Sequence, residues 1–373
     1  MTLATAGMFG REAVPDSGYY PAMRPKVREL TKGHTTFAGK IGAFLRFREG
    51  GCHQLLPIDQ GAEWAFYTHG DDEEVQRLWA RERGLNSRTS LDDILRAQIE
   101  EHRADVFYNL HATGFAADFV KRLPGCVTCV IGWHALPFQN VSFAGYDLMV
   151  CNFPSTLAGL QRLGYRTAYF FPACDPELAA FAAREERPID VLFVGAYTRR
   201  HRQRAAVLEA VANISGDTQV AYYLDLSGLC RLAESPLGRL LPLAKHRRPQ
   251  AIRKITRKPI FGRDYYAVLS SAKIVLNGHI DMPSADRGNM RCFEALGSAS
   301  VLLTDEGNYP VGMNDGSTMM TYRSAEHAVE QIKTLLEEPL RISAIARAGH
   351  QMLLTRYSKE AQWKLFESLV ASI

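Results

Sequence analysis

Residues 271–307, SAKIVLNGHIDMPSADRGNMRCFEALGSASVLLTDEG, most restrict the folds open to this chain. The run Lys273-Ile274-Val275-Leu276-Asn277 is apolar and β-branched, the pattern of a buried strand. A polar loop follows, carrying Asp281, Asp286 and Arg287. The pattern then predicts a short helix with Arg291 and Glu294, a small-residue turn over 297–300, and a second strand over 301–304. Strand, loop, helix and strand in that order build a parallel sheet. A cation and an anion three positions apart share one helix face. Arginine near a helix start can hold a diphosphate, and a carboxylate one turn on can accept from ribose hydroxyls. The stretch points to a nucleotide-linked donor.

The same rhythm continues on both sides. Strands are predicted over 63–67, 105–109, 127–131, 148–151 and 167–171, and helices over 37–48, 71–83, 89–101, 115–122 and 155–163. Most of the first forty residues are turn-rich and give no clear element. Pro172, Pro176 and Pro188, with Arg184-Glu185-Glu186-Arg187 among them, mark a segment between domains. A second series starts at Asp190, with strands over 191–195 and 220–223 and helices over 202–213, 265–271, 325–337, 340–355 and 358–373. Alternation with short connections predicts parallel sheets covered on both faces. A length of 373 residues suits two domains, placed at 1–175 and 176–373.

Arg291-Cys292-Phe293-Glu294-Ala295-Leu296-Gly297, followed by an apolar strand and Asp305-Glu306-Gly307, resembles the C-terminal half of GT-B glycosyltransferases. It is most similar to the branch that includes CgeB-like spore-maturation proteins and bacterial surface-polysaccharide enzymes. The resemblance runs from Asp190 to the C-terminus, and the N-terminal half matches by layout only. It implies an α/β fold of two Rossmann-like domains facing across a cleft, with the helix over 358–373 crossing back onto the N-terminal domain. It implies an enzyme that moves a sugar from a nucleotide-sugar donor to a saccharide, lipid-linked or protein acceptor. The broader family has two acidic residues separated by seven, and that spacing survives here from Asp286 to Glu294, with aspartate first. Asp286 is therefore a candidate catalytic residue. Two other readings share the layout: a nucleotide-sugar epimerase, and a non-catalytic nucleotide- or glycan-binding partner.

Further donor contacts are expected at strand ends, where open α/β sheets bind ligands. Gly195 closes one strand, and Arg199 follows with more positive charge. Arg263 and Tyr265 precede the central unit, where the family frames the nucleobase. His279 and Asp281 lie on the loop that would meet the donor sugar. The departing nucleotide carries extra negative charge, which many enzymes neutralise with a metal held by an Asp-x-Asp motif. No such motif occurs, so positive side chains and backbone amides are expected in that role, with no metal and no cofactor. An inverting reaction needs a general base, for which His111 and His134 are the candidates. A retaining reaction needs none of this kind, and both outcomes stay open.

The net charge of +4 is mild, but basic residues crowd over 245–258. That cluster suits either a solvated surface or an anionic membrane surface or phosphate-bearing acceptor. It lacks interleaved aromatics, which argues against nucleic acid. Cys126-Val127-Thr128-Cys129 leads into a predicted strand instead of a helix, so reduced structural thiols are expected there. The start of the chain lacks the charged and apolar regions of a secretory signal. The expected location is the cytoplasm, at the inner face of the membrane if the basic cluster docks there.

Overall fold

The computed structural model describes residues 1–7, 19–135, 141–279 and 284–373. They divide into two compact units. Met23–Ala173, the first strand and Lys359–Ile373 make one, and Cys174–Ser358 make the other.

In the first unit, β1 (Leu3–Gly7), β2 (Ala65–His69), β3 (Val106–Asn109), β4 (Cys129–Trp133), β5 (Leu148–Cys151) and β6 (Thr167–Tyr169) form a sheet in the order β2-β1-β3-β4-β5-β6. Every pairing is parallel. The helices before the crossing between units are α1 (Tyr19–Thr31), α2 (Phe37–Phe47), α3 (Leu56–Asp59), α4 (Glu73–Glu82), α5 (Leu91–Glu101), α6 (Ala117–Val120) and α7 (Pro154–Arg162). Asp72 and Ser90 cap α4 and α5 by accepting from Val75 N and Asp93 N. The helix expected over 115–122 is only the single turn α6. The Phe115 carbonyl instead accepts from the Tyr146 hydroxyl at 2.5 Å.

The second unit holds α8 (Glu177–Ala182), α9 (Arg202–Asn213), α10 (Gly228–Glu234), α11 (Gln250–Ile255), α12 (Gly262–Ser270), α13 (Met290–Gly297), α14 (Ala325–Glu337) and α15 (Pro339–Arg356). The terminal helix α16 (Lys359–Ala371) belongs to the first unit. The strands of the second unit are β7 (Ile189–Ala196), β8 (Val220–Asp225), β9 (Thr256–Arg257), β10 (Ala272–Leu276), β11 (Val301–Asp305) and β12 (Met320–Tyr322), in the parallel order β12-β11-β10-β7-β8-β9. The chain winds outward from β7 through β8 to β9, then returns to the other side of β7 and winds outward again. Connections therefore diverge between β7 and β10, and a crevice opens at the carboxyl ends of those two strands. Val191, Phe193, Ile274, Leu276, Val301 and Leu303 join one core cluster, and Leu192, Val275 and Leu302 on the alternate positions are also buried. Apolar residues on both faces explain why these strands read as unbroken apolar runs.

Gly349 lets α15 lie against the rest of this unit. A β-carbon there would stand 2.4 Å from the Thr318 carbonyl oxygen and 2.7 Å from Leu296 Cδ2. Gly349→Ala is expected to lower stability by about 1–3 kcal/mol, because a backbone oxygen cannot step aside as a side chain can. Thermal unfolding of the variant checks this. Among the described residues, no helix is long and apolar enough to cross a membrane.

Candidate nucleotide-sugar site

The crevice of the second unit is built from the ends of β7 and β10 and the helices that follow them. β7 closes on Gly195 at φ 152°, a backbone conformation that L side chains rarely adopt. The nearest atom to a β-carbon there would be the Phe193 ring at 3.4 Å, so the backbone angle, and not crowding, calls for glycine. At β10 the chain leaves the sheet through Asn277, which the sequence presents only as a strand end. Its Nδ2 donates to Thr304 Oγ1 at 3.1 Å and to Asn289 Oδ1 at 3.2 Å, and its carbonyl accepts from the Tyr322 hydroxyl at 2.7 Å. These contacts fix where the chain re-enters the fold as α13.

Arg291 and Glu294 do share a face of α13, and Tyr265 of α12 joins them. The Tyr265 hydroxyl donates to Glu294 Oε2 at 2.7 Å. The Arg291 guanidinium lies over the Tyr265 ring at 4.8 Å and its Nη1 donates to the Tyr265 hydroxyl. The direct Arg291–Glu294 ion pair is loose, at 3.9 Å. Tyr265 and Glu294 are only 3% and 5% exposed. Burial raises the Glu294 carboxyl above its ordinary value, while the charge of Arg291 and the Tyr265 hydrogen bond pull it down. Tyr265, expected where the family frames the nucleobase, has its ring buried under a guanidinium, and its hydroxyl orients Glu294.

His279 is also held in place. Its Nδ1 lies 2.8 Å from Asp305 Oδ1, and its Nε2 accepts from Gly288 N and Asn289 N at 3.2 and 3.4 Å. Two amides donating to Nε2 require the tautomer with the proton on Nδ1. The ring therefore braces the entry to α13 with both nitrogens engaged. Arg287 Nε donates to Asp305 Oδ2 at 2.5 Å. Burial alone would raise the Asp305 carboxyl, but the His279 hydrogen bond and the Arg287 charge hold it at about 2. The folded value lies below the unfolded one, so its stabilisation is complete above the ordinary carboxylate range and fades as pH falls toward 2. Asp305→Asn is expected to flatten that acid limb and to cost about 2 kcal/mol at neutral pH, read from urea unfolding across pH. Beside this group a pocket of about 380 Å³ is lined by Arg204, Gly278, His279, Arg287, Asp305 and Tyr322. The sequence sets Arg204 among the cations that follow Gly195, but only the folded sheet brings the start of α9 beside Gly278. Its Cγ would lie 3.1 Å from a β-carbon at Gly278.

The remaining expected residues spread out. Arg199 is exposed and donates to the Lys245 carbonyl at 2.9 Å, which ties the loop after β7 to the basic segment. Arg263 forms a half-exposed ion pair with Glu177 at 2.5 Å, a contact worth at most about 1 kcal/mol. Asp286 is buried, on a short parallel bridge to Asn308. Asp281 lies outside the described residues. Among the described residues, no group of three or more His, Cys, Asp or Glu side chains could hold a metal ion.

In the first unit, His111 and His134 follow the carboxyl ends of β3 and β4 and are both buried. His111 lies against Gly114, where a β-carbon would meet the ring at 2.2 Å, and its backbone N–H donates to Asn109 Oδ1. His134 sits 5.0 Å from the Phe143 ring, and burial lowers its pKa to about 4. His69, which sequence reading passed over, closes β2 in the same edge series. Burial lowers it to about 3, and its ring stands edge-on to Phe44 at 4.1 Å.

Residues 237–368 match a family model described as glycosyl transferase-like. No curated protein matches the chain by sequence. Among solved structures, the chain is similar to HepE of Anabaena in complex with UDP and glucose, at 12% identity and TM-score 0.59 over all of both chains. It is also similar to sucrose-phosphate synthase of Thermosynechococcus elongatus, at 12% identity and TM-score 0.54 over 100% of this chain and 99% of that one. A glycosyltransferase of Rickettsia africae aligns at 9% identity and TM-score 0.54 over 99% and 97%. The two parallel sheets are those of the GT-B fold, and residues 237–368 match a glycosyl transferase-like domain.

Proposed function

We propose that the chain transfers a sugar from a nucleoside-diphosphate donor, held in its second unit, to a saccharide, lipid-linked or protein acceptor. The observation that carries this reading is the buried Glu294 carboxylate, aimed by Tyr265 and backed by Arg291 at the switch point of the sheet. A carboxylate is acceptor-only when ionised, so vicinal ribose hydroxyls are a fitting ligand. The solved HepE complexes with UDP and with UDP-glucose favour uridine as the first nucleotide to try. In this reading Arg291, with Arg204 on the neighbouring wall, balances the charge that builds on the leaving diphosphate. Gly195 lets the backbone come close to that group. Asp286, eight positions before Glu294, faces the donor sugar. Metal independence belongs to the same proposal.

On the acceptor side the proposed base is His111 or His134. Burial lowers the His134 pKa to about 4, so the ring is unprotonated at neutral pH, as a base must be, but takes up a proton only weakly until a bound acceptor changes its surroundings. Titration calorimetry with UDP, GDP and ADP, followed by product analysis with the matching nucleotide sugars, tests the proposal. Binding of one nucleoside diphosphate and sugar transfer to an acceptor are expected. No binding by any of the three would overturn it.

A further inference from the structure

The segment between β8 and α12 has a use that sugar transfer does not require. Residues 226–261 hold nine of the chain's 44 Lys and Arg but only one of its 40 Asp and Glu. The positive excess of the whole chain resides here, and the remainder is net negative. The single acid, Glu234, does not offset the surface charge. It is clamped by Arg248, whose Nε and Nη2 donate to its two oxygens at 2.8 and 2.6 Å, and that contact lowers its pKa to about 2. Arg247 is also turned inward, with Nε and Nη2 donating to the carbonyls of Ala233, Gly238 and Arg239 at 3.0 Å. Gly238 presses so closely on α10 that a β-carbon would stand 1.7 Å from the Leu232 carbonyl oxygen.

Polar pegs thus hold this lobe together, and its leucines face out. Leu229, Leu232, Leu237, Leu240 and Leu241 are 43–84% exposed, and they are five of the twelve exposed large apolar side chains described. Leu229 and Leu232 share a face of α10. Lys245, Arg253, Lys254 and Lys258 stand exposed just beyond them. Leucines ringed by cations have no reason to form in water, because their apolar surface stays wet and their charges repel.

We propose that this lobe docks on an anionic lipid bilayer, with the leucines entering the acyl boundary and the lysines at the headgroups. Charge complementarity selects the partner, and the exposed leucines separate a bilayer from nucleic acid, which asks for cations and stacking rings. The proposal is independent of the nucleotide reading. Vesicle binding and nucleotide binding are separate measurements, and either can fail alone.

The test is co-sedimentation of the full chain with vesicles of phosphatidylcholine, with or without phosphatidylglycerol, at low and high salt. Binding to the anionic vesicles alone, weakened by salt, is expected. Lys245→Glu with Lys254→Glu and Lys258→Glu is expected to weaken it about a hundredfold. Leu237→Ser with Leu240→Ser is expected to weaken it about tenfold or more, with the thermal midpoint unchanged because both side chains are already exposed. Equal binding to neutral and anionic vesicles, no binding to either, or leucine variants that bind as well as the parent would each overturn the proposal. So would retention on duplex DNA in place of vesicles.

Discussion

Glu294→Ala is expected to weaken nucleoside-diphosphate binding about a hundredfold, since hydrogen bonds to a charged group contribute about 1.5–3 kcal/mol each and the ribose offers two hydroxyls. Glu294→Gln keeps the shape and one acceptor oxygen, so its loss should be smaller. Tyr265→Phe separates orientation from contact. Tyr265 is a positioning residue, and its hydroxyl reaches the donor only through Glu294. The carboxyl must be ionised to accept from ribose, so affinity should fall as pH drops through its raised value. The Tyr265 hydrogen bond is one of the two influences that lower that value. Without it the acid limb moves to higher pH, and affinity at neutral pH drops about tenfold. Titration calorimetry across pH reads both effects. An acid limb that stays in place in Tyr265→Phe, or unchanged affinity in Glu294→Ala, would remove this pair from the donor site.

The four central strands of the second sheet were legible because they are buried on both faces, and the short edge strands β9 and β12 were not. Ile274, Val275 and Leu276, like Val301, Leu302 and Leu303, are unbroken apolar runs, and small-residue turns separate them from helices with clear periodicity. β1 was not legible, although it lies inside the first sheet between β2 and β3. Leu3-Ala4-Thr5-Ala6-Gly7 is small and short, and only neighbours at Ala65 and Val106 make it a strand. In the site, helix periodicity placed Arg291 and Glu294 together. It could not place Tyr265, 29 positions from Glu294, or Asp305, 26 positions from His279, because those contacts depend on which strands become neighbours. Arg199 was expected as a donor ligand from its charge just after Gly195, and Arg263 from its place before the central unit. Both have protein partners instead, a carbonyl and a carboxylate that no local pattern announces.

Lys359→Met is expected to cost the first unit about 3–5 kcal/mol, the scale for breaking a buried ion pair. The side chain at the start of α16 is almost wholly buried, and its Nζ donates to the carbonyls of Gly51 and Gln54 and lies 3.2 Å from Asp59 Oδ2. Asp59 also holds Arg48, at 2.9 Å. Methionine fills similar space but takes the lysine donor from the Gln54 carbonyl, leaves the Gly51 carbonyl only the Gln54 N–H at 3.3 Å, and leaves one carboxylate with half its countercharge. Beyond this anchor, α16 sets Phe366 against Tyr108 and Phe170 at 5.1 and 5.6 Å and Trp363 beside Trp64 at 5.7 Å. Loss of the anchor should therefore expose the first sheet before it exposes the second. Hydrogen exchange resolved by segment checks this, with faster exchange in β3 and α16 and little change in β10 and β11. His53 gives an independent signal. Burial and then the Lys359 charge lower its pKa to about 4. Removing the charge while the ring stays buried should move that value upward in the nuclear magnetic resonance titration. A variant whose first unit keeps its exchange protection and whose His53 titrates as before would show that the lysine holds nothing there.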